Sequence, residues 1–229
     1  MALAAASALE TRHAAAPPRG CREFRLSEPP PPTEDAKQEI DLRQLRHHTK
    51  NTLQRIIALI AELPGLHDSP AGETIARELE YRIGLSATIS NALFGLTEAP
   101  GSMADRLRQI GGAVADMMRA PDQVIRVGVS VRGTCPAALR EAVVRGAHEL
   151  IGNAVKHGMK SRPSGRISVR LVTEGGMTVL TVADNGWGFS APPRLGEGLA
   201  LAQGFAERHG GSLRLESCGG AVASMVLPH

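Results

Sequence analysis

Residues 147–158 read AHELIGNAVKHG, and the reading of this stretch decides what the second half of the chain is. Leu139, Val143, Leu150, Ile151 and Ala154 recur at helical spacing, which predicts a helix over 137–157 that stops at Gly158. Glu149, Asn153 and His157 fall at i, i+4 and i+8, a polar stripe with Lys156 beside it. A charged stripe is ordinarily a solvated face. Asparagine, however, competes with the helix for its own backbone, and Gly152 next to it weakens the helix further. A helix that tolerates both near its end is expected to turn the stripe toward a ligand.

Two later stretches belong with it. In ADNGWGF (183–189), Asp184 stands where a strand runs out, followed by Gly186 and Gly188; alone, this would be an Asx-type turn. In LGEGLALAQGF (195–205), Gly196 and Gly198 open a helix whose first N–H groups are free to meet a phosphate. Around these stretches, SMADRLRQIGGAVADMM (102–118) reads as a helix and VIRVGVSV as a strand. ISVRLVTE and MTVLTVAD alternate about Gly175-Gly176 as a hairpin, and SLRLES and AVASMVL make a second one about Gly219-Gly220. The pattern predicts an α+β layer, a mainly antiparallel sheet covered by helices.

The front of the chain is different. Residues 1–33 are rich in Ala, Pro and Arg, show no period, and are expected to be disordered. From Thr33 onward Leu42, Leu45, Thr49, Leu53, Ile56, Ile60 and Leu63 form one helical seam, closed by Pro64-Gly65. Ser69-Pro70 starts a second helix, carried by Ile75, Leu79, Ile83, Ile89 and Leu93 to about Gly95. Two such helices cannot bury their seams alone, so pairing with a second copy into a four-helix bundle is expected.

In this order, NAxKHG, DNGxG and GxGL resemble the N, G1 and G2 boxes of the ATP-binding domain shared by histidine kinases, gyrase and MutL. The resemblance covers roughly 102–229. It implies a Bergerat-type α/β sandwich, with Asn153 coordinating the Mg2+ that bridges the ATP phosphates. It also implies that Glu149 holds the metal's water shell or poises a proton acceptor, and that Lys156 and His157 approach the phosphates. Asp184 would accept from the adenine amino group. Gly186 and Gly188 would let the backbone close over the base, and Gly196, Gly198 and Leu199 would lie near the phosphates. A carboxylate is acceptor-only when ionised, and magnesium favours oxygen ligands plus phosphate, so the residue types suit these roles.

The helices in front narrow the resemblance. RHHTKNTLQ (46–54) resembles the HRxKNxLQ phosphoacceptor box of a sensor histidine kinase branch that includes the HWE family, and YRIGLSATISNALFG (81–95) resembles the second helix of that dimerization module. This implies a dimerization and phosphoacceptor hairpin over 34–98 and an ATP-dependent protein-histidine kinase. His47 would be phosphorylated, Lys50 and Asn51 would steady the arriving phosphate, and an aspartate of a response-regulator receiver would take the group onward. Helical geometry favours His47 as well: it points about 160° from the seam, while His48 lies about 95° away on the flank. The sequence departs from the pattern in three places. LVTEGGMTV stands where the HWE signature has WxE, the loop from Phe189 to Gly196 is short for an ATP lid, and Ala221 replaces the usual threonine of the last hairpin. With no sensor domain ahead of the helices, input is expected from an upstream sensor protein or the tail. The alternative is a histidine phosphotransfer or adaptor protein with a degenerate ATP fold. A serine kinase of the anti-sigma type, which would lack the histidine-bearing hairpin, ranks lower.

Composition sets the frame. Apolar residues make up 42% of the 229 and aromatics 3%, so the core is aliphatic. A net charge of +3 without a basic block interleaved with aromatics argues against nucleic-acid binding. Cys21, Cys135 and Cys218 offer neither a disulfide framework nor a zinc spacing, which fits a reducing cytoplasm. No apolar run reaches the roughly 20 residues of a membrane span. Trp187 is expected either to cover the nucleotide site or to fill a crevice.

Overall fold

The computed structural model describes residues 49, 51–94, 102–189, 196–217 and 219–229. The expectations for the 1–33 tail, His47, His48, Lys50 and most of the loop before Gly196 fall outside these residues. Among them, helix α1 runs over 51–61 and α2 over Pro70–Phe94. Ser69 starts α2 as its position foretold, its hydroxyl accepting from the Gly72 N–H at 3.1 Å. Helix α3 (Met103–Met118) is capped in the same way by Ser102, which accepts from the Asp105 N–H at 3.1 Å.

Strands β1 (Val124–Arg132), β2 (Ser164–Glu174), β3 (Met177–Asp184), β4 (Ser212–Ser217) and β5 (Ala221–Pro228) form one sheet in the order β1-β2-β3-β5-β4. Period-two alternation puts Val127, Val129, Ile167, Val169, Leu180, Val182, Met225 and Leu227 on one face. On that face lie α3, α4 (Arg140–Asn153) and α5 (Glu197–Glu207), which contribute Leu107, Ile110, Val114, Val143, Leu150, Ile151 and Ala202 to a single aliphatic core. The approach is close. A Cβ on Gly146 of α4 would come within 2.6 Å of Met225 Cε, so glycine lets the helix lie down on the sheet.

Glu174 pairs with Met177 across Gly175 and Gly176, both at positive φ (58° and 75°), the backbone a two-residue hairpin of this twist needs. The sheet is not wholly antiparallel: β1 and β2 run parallel, joined across α4. A parallel pair needs a crossover helix of this kind, so local alternation alone could not reveal it.

Two further differences from expectation matter. The helix predicted over 137–157 begins as a 3-10 turn (Ala137–Leu139), continues as α4, and ends as a π-helical turn over Ala154–Gly158. The Met159 N–H bonds to the Ala154 carbonyl at 3.0 Å, an i→i+5 closure. The apolar seam of α2 also divides. Ile89 and Leu93 pack against the aliphatic core, whereas Ile75 and Leu79 remain 54% and 41% exposed. Tyr81 and Arg82 tie α2 to the end of α3 through Asp116 Oδ2 (3.2 Å) and the Met117 carbonyl (3.3 Å).

Candidate nucleotide site

Asp184 closes β3 and is held by its neighbours. Its Oδ1 accepts from the Gly186 N–H at 2.7 Å and from the Ala221 N–H at 3.2 Å, while Oδ2 has no donor among the described residues. The second bond comes from the main chain at the start of β5, where Ala221 stands. The loop after Asp184 is equally constrained. A side chain on Gly186 would run into the Gly158 carbonyl, and one on Gly188 (φ 67°) into Ser217 Oγ. Gly158 in turn faces Asp184, with a Cβ there 2.8 Å from its carboxyl group. Glycines at 158 and 186 are therefore required by close approach between the end of α4 and the β3 loop.

One turn before the π segment, Glu149 and Asn153 point together at the start of α5. A Cβ on Gly198 would lie 2.8 Å from Glu149 Oε2 and 3.2 Å from Asn153 Nδ2. Asn153 Nδ2 is buried and has no hydrogen-bond partner, a costly condition that a ligand acceptor would relieve. The other oxygen of Glu149 meets His148 Nδ1 at 3.0 Å. Gly196 caps α5 in an extended conformation without any side-chain cap, so the first N–H groups of that helix are left to an incoming acceptor.

The structure thus brings Glu149, Asn153, Gly198 and, through Gly158, Asp184 and Gly186 around the end of α4. It does not bring His157 or Lys156 into the same stripe. The i→i+5 turn carries them out of phase with Asn153, and both are exposed. Lys156 instead borders a cleft of about 550 Å³ together with Met118, Gln123 and Arg162. Leu199 is half-buried against the core, and Asn51 is half-buried on α1. The Trp187 ring fills no crevice: it is 69% exposed, donates to the Lys160 carbonyl at 2.9 Å and lies 5.4 Å beneath the Arg162 guanidinium. Among the described residues no three His, Cys, Asp or Glu side chains gather as a metal cage. A cation here would draw most of its oxygens from the phosphates and water, as magnesium commonly does.

Three supporting residues carried no signal in the sequence reading. Gln123, nearly buried, donates from Nε2 to the carbonyls of Met159 (2.7 Å) and Arg162 (2.8 Å), fixing the chain as it leaves the π turn. Ser217 Oγ accepts from the Phe189 N–H at 3.1 Å and binds the β3 loop to the last hairpin. Asn185 Oδ1 accepts from the Arg166 N–H at 2.7 Å. The pairing of Ala183 with Val222 would have pointed to Ser217 and Ala221 had the β3–β5 neighbourhood been known.

No described helix is long and apolar enough to cross a membrane. No curated protein sequence matches the chain. Among solved structures, a blue-light activated histidine kinase from Erythrobacter litoralis is similar at 19% identity with a TM-score of 0.55, over 86% of this chain and 61% of that one. The isolated kinase domain of that protein is similar at 18% identity and a TM-score of 0.52, over 84% of this chain and 94% of its own length. This chain therefore spans under two thirds of the longer relative, and at such identity the likeness is one of fold. Residues 116–222 match the family described as the histidine kinase-like ATPase domain, and the end of α4, the loop after β3 and the start of α5 all lie within that segment.

Proposed function

We propose that residues 102–229 bind Mg-ATP and that the chain is a cytoplasmic, homodimeric sensor histidine kinase of a two-component system. It would phosphorylate itself on His47 and pass the group to an aspartate of a response-regulator receiver. The observation that carries the reading is a pair of unused polar groups set on two sides of the end of α4. On one side stands Asp184, with Oδ1 fixed by two backbone donors and Oδ2 left over; on the other are the unpartnered Asn153 amide and the uncapped start of α5. The first suits an exocyclic amine and the second suits phosphate oxygens.

Each residue has a defined task in this reading. Asp184 selects the base, Gly158 and Gly186 keep space at its edge, and the α5 N–H groups and Asn153 hold the phosphate chain. Glu149, steadied by His148, faces the same point. Bound magnesium would supply charge neutralisation on the phosphates, with Asn153 and Glu149 as its protein neighbours. In the transfer an imidazole nitrogen of His47 forms a bond to the γ-phosphorus while the bond to the ADP oxygen breaks, and the imidazole gives up its N–H proton. Positioning and charge supply most of the catalysis in such reactions.

A second reading, a phosphotransfer or adaptor protein with a vestigial ATP fold, is favoured by one feature. The start of α5 packs close on Glu149 and Asn153, so that even a Cβ on Gly198 would come within 2.8 Å of Glu149 Oε2. Calorimetric titration with a non-hydrolysable ATP analogue and Mg2+ separates the two: the kinase reading expects binding by the wild type and none by Asp184→Asn. Labelling from radioactive ATP should then be lost in His47→Ala and retained in His48→Ala. Failure of the wild type to bind the analogue sinks the kinase reading, and labelling lost only in His48→Ala moves the phosphoacceptor.

A further inference from the structure

The face of the sheet turned away from the helices carries a feature that the nucleotide reading leaves unused. Strand register places Gly128, Ser168, Ala183 and Val222 side by side across four strands. The first three are small, a Cβ on Gly128 would meet nothing within 4 Å, and the row ends on Glu216 of β4, opposite Val222. Two residues to one side of this row, Arg126 stands opposite Arg166; two residues to the other side are Arg170 on β2 and Arg214 on β4. All four arginines are exposed, and none forms an ion pair among the described residues. The result is a shallow trough about 13 Å between rims and about 14 Å long, from strand rise and spacing.

Solvation alone does not account for it. A one-sided sheet does face water, and charges on its outer strands guard against edge pairing. That covers Arg126 and Arg214, on the edge strands β1 and β4, but not Arg166 and Arg170, which lie on the interior strand β2. Like charges directly opposite, as in Arg126 and Arg166, oppose sheet formation unless an anion lies between them. With Arg132, which pairs with Glu174 at 3.4 Å, the face holds five arginines against Glu174 and Glu216. The face therefore carries an excess of three positive charges.

We propose that this trough is a docking site for an extended, carboxylate-rich segment of a partner protein, laid across the strands with its acids between the two arginine rims. Guanidinium forks match carboxylates in geometry. The small floor admits a backbone, and about four extended residues span it. The face carries no aromatic side chain on which bases could stack, which disfavours single-stranded nucleic acid.

The test is fluorescence anisotropy of the full chain with a fluorescein-labelled ten-residue peptide of alternating Glu and Ser, at about 150 mM salt, where exposed charges are largely screened. The wild type should bind saturably. Arg166→Glu combined with Arg170→Glu should weaken binding by about 100-fold or more. Gly128→Val, which fills the trough without changing charge, should weaken it about tenfold, and Ser168→Leu provides the same test on the neighbouring strand should the first variant melt early. The proposal is overturned if the wild type does not bind, or if the Gln-for-Glu peptide binds as well. It is equally overturned if the trough-filling variants bind like wild type, which would mean diffuse attraction, or if a ten-nucleotide oligo(dT) binds more tightly.

Discussion

The two ends of α2 obey one sequence rule and meet two fates. Ile75 and Leu79 sit on the same helical seam as Ile89 and Leu93, yet the first pair lies open to solvent and the second packs on the core. Periodicity identifies the face of a helix that wants cover; it does not say what supplies the cover. In the later half, α3, α4 and α5 share one sheet, so every seam finds its partner within the chain. At the other end of α2 no such cover is found among the described residues, and Ile56 of α1 and Leu63 just beyond that helix are exposed as well. The contrast separates a self-sufficient layer from an element that needs a second surface.

The strongest way to break that contrast is to charge the open half. Ile75→Asp with Leu79→Asp should change little in the melting of the single chain, since both residues are exposed, within about 0.5 kcal/mol. If the seam is covered by a second copy, the buried charges should cost the association about 4 kcal/mol or more. Light scattering would then show a monomer where the parent is a dimer. An unchanged mass, whatever its value, removes the seam from the interface. The converse test lies in the packed half. Gly186→Val drives a side chain into the Gly158 carbonyl, and overpacking against backbone should cost about 3 kcal/mol in denaturant unfolding and abolish binding of an ATP analogue. Wild-type stability there would mean that the β3 loop and the end of α4 separate freely. Gln123→Ala comes next. It strips donors from two carbonyls after the π turn, and about 2 kcal/mol of stability should go with them.

These cases also mark what could be read from the chain. The Ser69 cap, the Gly175-Gly176 hairpin and the glycines around Asp184 were legible because each is a local rule: one residue type meets one backbone need within a few positions. The parallel β1–β2 pair, the Gln123 clamp and the Ser217 tether were not, because each joins residues separated by 28 or more positions in the sequence. The π turn lies between these classes. It is local, yet nothing in AVKHG announces an i→i+5 closure; the Gln123 bond to the Met159 carbonyl holds the chain just beyond it from outside the segment. Glu149 and Asn153 of the stripe stay together beside Gly198, while the turn carries His157 away from them.

The smallest expected effect tests whether the packed half reaches back into α2. Tyr81 donates to Asp116 Oδ2, and Asp116 Oδ1 accepts from Arg119 Nε at 3.0 Å. That hydrogen bond holds the Arg119 guanidinium above its ordinary pKa, with burial opposing it. Arg119 Nη1 continues to the Gln123 carbonyl at 3.2 Å, so a chain of contacts links α2 to the residue that clamps the π turn. Because Tyr81 is exposed and Asp116 only half-buried, Tyr81→Phe should cost only about 0.5 kcal/mol. Combined with Gln123→Ala in a double-mutant cycle, the two losses should add to within about 0.4 kcal/mol if the contacts are merely adjacent. A coupling near 1 kcal/mol would show instead that the hairpin and the end of α4 move as one body, and that the division drawn at α2 lies nearer to α1.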